Sequence, residues 1–555
     1  MNKKNTKGYF SKRLLCAGSL ALFCAVSFPL TVAAETAVPK PGESLQGTQP
    51  PKQNVSVENV DKGTGKQGTE SVRFTLKKIR VEHEGIDVKD ADIDAITRKI
   101  IGKEIGATEL NATIGKVTRY LRSHGYPAAA AYIPEQTAVD GKLLVKVEPG
   151  RLGKVQLNNE SGLKDKAAER LLSGLKPGDI IRTRNVETAL YNLRDLSGVE
   201  LQGVLSPGTE TGTSDLTVRV TNKKKTSIIL YAENYGSKDA GRYRYGLQGE
   251  VRNLSGNGDR LNLGTLISNE KQHNYNISYE TTWGRNASKL GIGFSSADYE
   301  LGNAFAALGA EGRANTYSIF GRTPLWNTSN SGLAVTYGLD YRDIKDELKQ
   351  FNVSWKKHSY VFHVGLDGMQ RGPKTSVQYN ATLYTGKLVP DSDMADTLAT
   401  IGRTKGHFTK GTADVTVVQG LGRNIDMLFK FSGQKAATNL DSSEHIYLGG
   451  ARGVRAYPHG EASGDEGVLG TLELRYHTPV KGLVLSTYFD AGHVRIEKDD
   501  HGSMTLKGWG IGLSYTKPND WFARFDYARR IGSDDKMTED ARSRQRMWFI
   551  AGKVF

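Results

Sequence analysis

Hydrophobic and polar positions alternate along most of the C-terminal half of the chain. From residue 226 onward, short segments show a period of two and are separated by turn residues. In one such segment Leu472, Leu474 and Tyr476 alternate with Glu473 and Arg475. A segment of this kind has one apolar and one polar face. The pattern predicts strands of a membrane-spanning β-barrel.

Sixteen such segments occur between residues 224 and 555, eleven before residue 437 and five after residue 466. Roughly 330 residues over sixteen strands leave about 21 residues for each strand and its connection, as in outer-membrane barrels. A soluble β-sandwich or propeller is the alternative for a chain of many short strands. The terminal aromatic residue Phe555 and the N-terminal segment described below favour the membrane barrel.

Residues 73–150 show a helical period instead. Ile93, Ile96 and Ile100 form one apolar stripe, and a second stripe ends near Gly125. With the extended segments around them, these stripes predict the order β-α-α-β-β. Residues 151–223 repeat this order. A repeat of about 75 residues with one element order predicts two copies of a small α+β domain.

The N-terminal segment has the features of an export signal. A basic start and an apolar run from residue 14 to residue 32 precede Ala33 and Ala34. We expect residues 1–34 to be a cleaved signal peptide, with a retained membrane anchor as the alternative. Residues 35–72 are rich in Pro, Gly, Gln and Thr. They predict a flexible linker, or a short plug.

Composition narrows the possible chemistry. Both cysteines, Cys16 and Cys24, lie in the signal, so the mature chain is expected to lack disulfides and thiol chemistry. The formal charge of +15 includes five positive and no acidic residues of the signal, leaving about +10 (15 minus 5). Nucleic acid is not an expected partner of an exported protein. Basic groups can instead face lipid phosphates, a channel lumen or an unfolded client.

The most informative polar cluster lies in a long connection, residues 437–466. Its centre reads G-G-A-R-G-V-R-A-Y-P from Gly449 to Pro458. Glycines let a backbone enter a narrow space, and Arg455 offers a planar fork of five donors. Strand alternation places Asp490 on the polar inner face, where it can pair with Arg455. The alternative is an exposed glycine-rich loop with a solvated arginine.

These residues resemble the motifs of a known family. Val454-Arg455-Ala456-Tyr457, preceded by Gly453, is similar to the V-R-G-Y/F motif on the sixth extracellular loop of two-partner secretion transporters (TpsB, ShlB/FhaC/HecB type). Ala456 stands where the motif has glycine. Tyr488-Phe489-Asp490-Ala491-Gly492 is similar to the family's F-x-D-x-G motif, with Tyr488 at the first aromatic position. The resemblance implies that Arg455 contacts Asp490 inside the barrel.

Two further segments extend the resemblance to essentially the whole mature chain. Residues 125–143 are similar to the signature of the family's first polypeptide-transport-associated (POTRA) domain, and residues 254–259 to its first periplasmic hairpin. The resemblance implies a sixteen-stranded transmembrane β-barrel (residues 224–555) preceded by two periplasmic POTRA domains (residues 73–150 and 151–223). It places the chain in the bacterial outer membrane.

The resemblance also implies a function. It predicts a transporter that recognises a large secreted exoprotein of the TpsA type and translocates it without nucleotide hydrolysis. Outer-membrane lipid and, during biogenesis, the barrel assembly machinery are the other implied partners. We expect no enzyme activity, cofactor or metal, since no phosphate loop or paired His spacing is present.

Two other functions remain open at this point. The first is a factor that inserts or assembles other barrels, because one architecture can carry both functions. The second is an outer-membrane hydrolase that uses His459, Ser463 and Asp465, although no G-x-S-x-G elbow is present.

Overall fold

A computed structural model of the chain describes residues 58–59, 73–136, 141–499, 502–532 and 540–555. The predicted signal peptide, residues 1–34, lies outside these residues, as does most of the predicted linker, residues 35–72. The described part of the linker is strand β1 (Glu58–Asn59), which pairs in parallel with Val204 and Leu205. Among the described residues, no helix is long and apolar enough to cross a membrane.

The first α/β unit has two short helices over a small mixed sheet. Strand β3 is parallel to β6, and β5 pairs antiparallel with β6 on its other side. The predicted stripe at Ile93 and Ile96 lies on helix α1, while Ile100 lies in a following 3-10 turn. The elements are β2 (Phe74–Thr75), β3 (Lys78–Glu82), α1 (Asp90–Thr97), β4 (Glu104–Ile105), α2 (Ala107–Ser123), β5 (Ala130–Tyr132) and β6 (Lys142–Glu148).

The second α/β unit has the order β-α-α-β-β, and the first has this order with an additional strand pair, β2 and β4, of which β4 lies between its helices. Strand β1 extends the sheet of the second unit at one edge. The helices of the second unit bury Leu171, Leu190 and Leu193 against Leu216 and Val218 of the sheet. The elements are β7 (Arg151–Asn159), α3 (Asp165–Leu172), α4 (Thr183–Arg194), β8 (Val199–Pro207) and β9 (Thr213–Asn222). The predicted β-α-α-β-β fold class is therefore confirmed.

The rest of the described chain forms a closed antiparallel barrel of sixteen strands, as predicted. Eleven precede the long connection: β10 (Thr226–Glu233), β11 (Arg244–Arg252), β12 (Arg260–Ser268), β13 (His273–Trp283), β14 (Ser288–Glu300), β15 (Ala310–Asn327), β16 (Ser331–Leu348), β17 (Val353–Arg371), β18 (Thr375–Pro390), β19 (Gly406–Gly420) and β20 (Ile425–Ala436). Helix α5 (Asp393–Ile401) lies between β18 and β19.

Within the long connection, β21 (Ile446–Tyr447) and β22 (Ser463–Gly464) form a short hairpin. Five strands then complete the barrel: β23 (Glu466–His477), β24 (Leu483–Arg495), β25 (Ser503–Thr516), β26 (Trp521–Arg530) and β27 (Gln545–Val554). The last strand pairs with β10 and closes the wall.

Alternation along the strands separates an apolar outer face from a polar lumen. Leu472, Leu474 and Tyr476 are exposed on the outside, whereas Glu473 and Arg475 are buried inside. At about 3.3 Å per residue, a strand of about ten residues spans a bilayer when tilted. The outer face therefore suits lipid and the inner face a wet channel, as the sequence predicts.

The barrel has a near side, from which the α/β units enter, because β10 begins directly after β9 ends. The seven near-side turns comprise residues 253–259, 284–287, 328–330, 372–374, 421–424, 478–482 and 517–520. The second α/β unit is docked on the first three. Its Lys164 and Ser197 amides donate to the carbonyls of Gly256 and Gly258. Asn327 Nδ2 donates to Asp195 at 2.7 Å, which fixes the unit at the mouth of the barrel.

Candidate functional site

The long connection enters the barrel and is bound at its tip by a buried ion pair. Arg455 Nε and Nη2 each donate to one oxygen of Asp490 at 2.9 Å. The backbone amide of Arg455 also donates to Asp490, at 3.2 Å. Asp490 is 0% exposed and Arg455 is 6% exposed. The guanidinium fork thus fits both oxygens of a desolvated carboxylate, the strongest geometry for this pair.

Two further carboxylates surround Arg455. Its Nη1 lies 3.1 Å from Glu473 and 3.3 Å from Asp526. Arg524 is shared with the same two carboxylates, at 3.1 Å and 2.7 Å. Two arginines therefore pair with three carboxylates from strands β23, β24 and β26. A buried charge is tolerated only when it is paired and hydrogen-bonded in this way. We call these five residues the tip cluster.

Two aromatic side chains complete the environment of Arg455. The centre of its guanidinium lies 3.2 Å from the centroid of the Tyr488 ring, a cation–π contact. Gly510 leaves the room for that ring, because a Cβ there would lie 2.4 Å from it. Trp548 Nε1 on the last strand donates to the Arg455 carbonyl at 2.7 Å. The tip therefore also contacts the strand that closes the barrel.

The neighbours of Arg455 pack into an apolar pocket in the wall. Val454 and Tyr457 are fully buried together with Leu448 and Leu506. Gly453 is held so close that a Cβ would lie 2.0 Å from the Leu448 carbonyl oxygen. Gly492, on strand β24, also faces Leu448, and a Cβ built on Gly492 would lie 3.0 Å from the Leu448 side chain. All six residues singled out by the sequence thus meet at this tip.

The alanine that replaces the motif's glycine has a structural explanation. Ala456 is 1% exposed and faces Gly508 on strand β25. A Cβ on Gly508 would lie 2.5 Å from the Ala456 methyl group, a distance that real Cβ atoms do not reach. The side chain at position 456 therefore fits because position 508 has none.

The base of the connection has a second set of ion pairs, with strands β16, β17 and β19 of the wall. Glu444 accepts from Arg342 at 2.6 Å and from Lys410 at 2.9 Å. Asp441 accepts from Lys357 at 2.7 Å. We call these residues the base cluster. The connection therefore spans the lumen between two charged clusters.

The electrostatics of the base cluster keep both carboxylates ionised. Burial opposes this, but the nearby ammonium and guanidinium of Lys410 and Arg342 hold the pKa of Glu444 below its usual value. Burial likewise opposes ionisation of Asp441, yet Lys357 and hydrogen bonds from Ser443 lower its pKa to about 2. The base cluster is thus charged on both sides near neutral pH.

Sequence reasoning recognised part of this site. Alternation placed Glu473 on the polar face, but nothing indicated that Glu473 and Asp526 share Arg455. Asp441 and Glu444 were missed, because acidic residues in a polar loop are ordinarily solvated. In the described part of the chain, no three His, Cys, Asp or Glu side chains cluster as a metal site would require. The arrangement holds a loop in place.

The fold and the clamped loop define a class, the outer-membrane barrels that carry POTRA domains. Residues 74–150 match the model of the ShlB-type POTRA domain. Residues 212–515, more than half of the chain, match the model of the haemolysin secretion/activation protein ShlB/FhaC/HecB. The chain belongs to this family.

Curated relatives and solved structures agree with this placement. HuxB of Haemophilus influenzae, a heme/hemopexin transporter protein, is 26% identical over 84% of this chain and 86% of its own. The outer membrane transporter CdiB of Dickeya dadantii is 22% identical over 81% of each chain. The structure of CdiB from Escherichia coli superposes with a TM-score of 0.69, at 20% identity, over 89% of this chain and 92% of that one.

The chain is therefore an outer-membrane transporter of two-partner secretion, as the sequence predicts. Its POTRA region lies in the periplasm, so the near side of the barrel is periplasmic and the far side faces the cell exterior.

Proposed function

We propose that this transporter captures one large exoprotein with its POTRA domains while the exoprotein is unfolded, and passes it through the barrel to the cell surface without nucleotide hydrolysis. The observation that carries the proposal is the loop that crosses the lumen between the tip and base clusters. Such a loop closes the route at rest. A passive pore needs neither a loop bound across its lumen nor a periplasmic domain docked at its mouth. Both features favour a channel that conducts protein.

A strand edge in the first POTRA domain offers a capture site. Within the described residues β5 pairs with β6 alone. On its other side lies helix α2, where Thr118 Oγ1 accepts from the Ala131 amide at 2.9 Å, so a client strand would enter between β5 and α2 and replace this side-chain contact. Tyr132 on this strand is 45% exposed. An extended polypeptide can add to such an edge through main-chain hydrogen bonds, with little dependence on its sequence. This chemistry suits a client that arrives unfolded.

The tip residues act in this proposal as positioning residues. Arg455 and Asp490 set the position of the loop, while Val454 and Tyr457 supply the apolar contact. Gly453 and Gly492 allow the close approach. Because each group acts on the loop, their loss should alter closure and export while leaving the barrel wall assembled.

Biogenesis adds two further proposed partners. The last strand ends at Val554, directly before the exposed Phe555, and the exposed Met547 and Phe549 lie on its outer face. This strand is suited to recognition by the barrel assembly machinery. The outer face as a whole is suited to outer-membrane lipid.

Site-specific crosslinking in secreting cells tests the proposal. A photoreactive residue replaces Tyr132 at the β5 edge, and a matched control replaces the lipid-facing Tyr275, which is also exposed. We expect crosslinks to one large exoprotein from position 132 and none from position 275. Crosslinks to many barrel proteins at position 132 would contradict the proposal and favour an assembly factor.

A further inference from the structure

The exposed surface of the periplasmic turns is basic. Five of the seven turns each carry one exposed basic side chain: Lys517 is paired within its own turn, and the other four are Arg285, Lys374, Arg423 and Lys481. The acidic residues of the seven turns are Asp259 and Asp520. Asp259 is fully buried and accepts hydrogen bonds from Ser255. We call the four basic residues the periplasmic ring.

Among the described residues, none of the four forms an ion pair with a carboxylate. Two exposed lysines near the other side of the barrel are paired instead. Lys271 contacts Glu300 at 2.8 Å, and Lys349 contacts Glu311 at 2.6 Å. On the seventh periplasmic turn, Lys517 forms an ion pair with Asp520 of the same turn. The charges of the periplasmic ring thus remain available to an anion from outside the protein.

The ring lies at the depth of lipid headgroups. Exposed aromatic side chains mark the periplasmic ends of the strands, with Trp283 54% and Trp521 51% exposed. Such aromatic belts lie at the membrane–water interface. Arg285 follows Trp283 by two residues, and Lys481 follows Tyr476 by five. A basic group just beyond the aromatic belt reaches the layer of phosphates.

The distribution of the four side chains around the barrel favours lipid, and not the client, as their binding partner. Arg285 lies between β13 and β14, whereas Lys481 lies between β23 and β24, eight strands further around a wall of sixteen. Lys374 and Arg423 lie between them. One client segment entering the lumen would meet a single sector of the mouth. The leaflet surrounds all four positions at once.

We propose that the periplasmic ring binds the phosphates of anionic glycerophospholipids in the periplasmic leaflet. Basic side chains at a membrane surface attract anionic lipid, and the attraction weakens with salt. Because the second POTRA domain is docked on the first three turns, lipid bound at this ring also holds the domain at a fixed height under the membrane. The contact is an interaction surface separate from the lumen.

Full-length protein in nanodiscs of phosphatidylcholine, with or without phosphatidylglycerol, tests the proposal. Native mass spectrometry then counts the molecules of each lipid that remain bound to the protein after its release from the nanodisc. The test variant carries R285Q, K374Q, R423Q and K481Q. The control loses the same charge from exposed residues near the extracellular ends, through K238Q, R313Q, K356Q and K387Q.

We expect the wild type and the control to retain more phosphatidylglycerol than phosphatidylcholine. In the test variant, the ratio of the two retained lipids should fall about tenfold. Added salt should lower the preference of the wild type. An unchanged preference in the test variant, or an equal loss in the control, would overturn the proposal. So would a test variant that fails in secretion while its lipid preference persists, because the ring would then bind the client.

Discussion

The methyl group of Ala456 faces Gly508, and a Cβ built on Gly508 would lie 2.5 Å from it. Ala456 is on the tip of the loop and Gly508 is on strand β25, so the two residues share one small space between loop and wall. The departure from the family motif at position 456 is therefore matched by the absence of a side chain at position 508.

Substitution of Gly508 by alanine should displace the loop tip. Overpacking of this size costs about 1–3 kcal/mol, and the Ala456 backbone has to move with its methyl group. Adding Ala456→Gly should restore the position of the tip. The sensitivity of the loop to added protease in intact cells measures whether the tip is displaced in each variant. The control is Gly470→Ala, because the nearest neighbour to an added Cβ there lies at 3.9 Å. Failure of the double variant to recover would refute the shared space.

Arg455→Ala should leave a folded barrel with a released loop tip. It removes the fork that binds Asp490 and leaves three buried carboxylates around Arg524, a loss of about 3–5 kcal/mol at such sites. Arg455→Lys should be intermediate, because one ammonium cannot contact both Asp490 oxygens and Glu473 with the same geometry. Heat-modified mobility and export measure folding and function separately. Normal export by the Arg455→Ala variant would show that export does not depend on Arg455.

Release of the base cluster should need strong acid. The pKa of Asp441 is lowered from 3.8 to about 2, so its contribution is complete above about pH 5 and disappears as the pH falls toward 2. Channel conductance in planar bilayers should therefore be constant from about pH 7 to 5 and rise below about 4. Asp441→Asn should show the raised conductance at every pH. A rise between pH 7 and 5 in the wild type would contradict this assignment.

Gly258→Ala should loosen the second POTRA domain from the barrel. Gly258 has a φ of +73°, and an added Cβ would lie 2.8 Å from the Leu196 side chain. The expected loss is about 1–3 kcal/mol of docking free energy. Gly249→Ala, with its nearest neighbour at 3.9 Å, is the control. Hydrogen exchange at the Ser197 amide, which donates to the Gly258 carbonyl, should rise in the first variant alone.

Local patterns predict this fold well because the barrel repeats one simple rule. Alternation placed Leu472 outward and Asp490 inward, and the helical stripe at Ile93 indicated α1. The 3-10 turn at Ile100 was not expected, since a stripe does not show where helical hydrogen bonding changes. The link from Trp548 to Arg455 joins residues 93 positions apart along the chain. Such a contact depends on how the loop enters the lumen, which no local pattern contains.

Export of one dedicated exoprotein is the function that we propose for this chain. The most direct test is the amount of large secreted exoprotein in the medium of cells with and without this chain, with other outer-membrane barrels quantified in parallel. The account predicts loss of that exoprotein while the other barrels stay at normal levels. A general fall in barrel abundance would contradict it and identify the chain as an assembly factor.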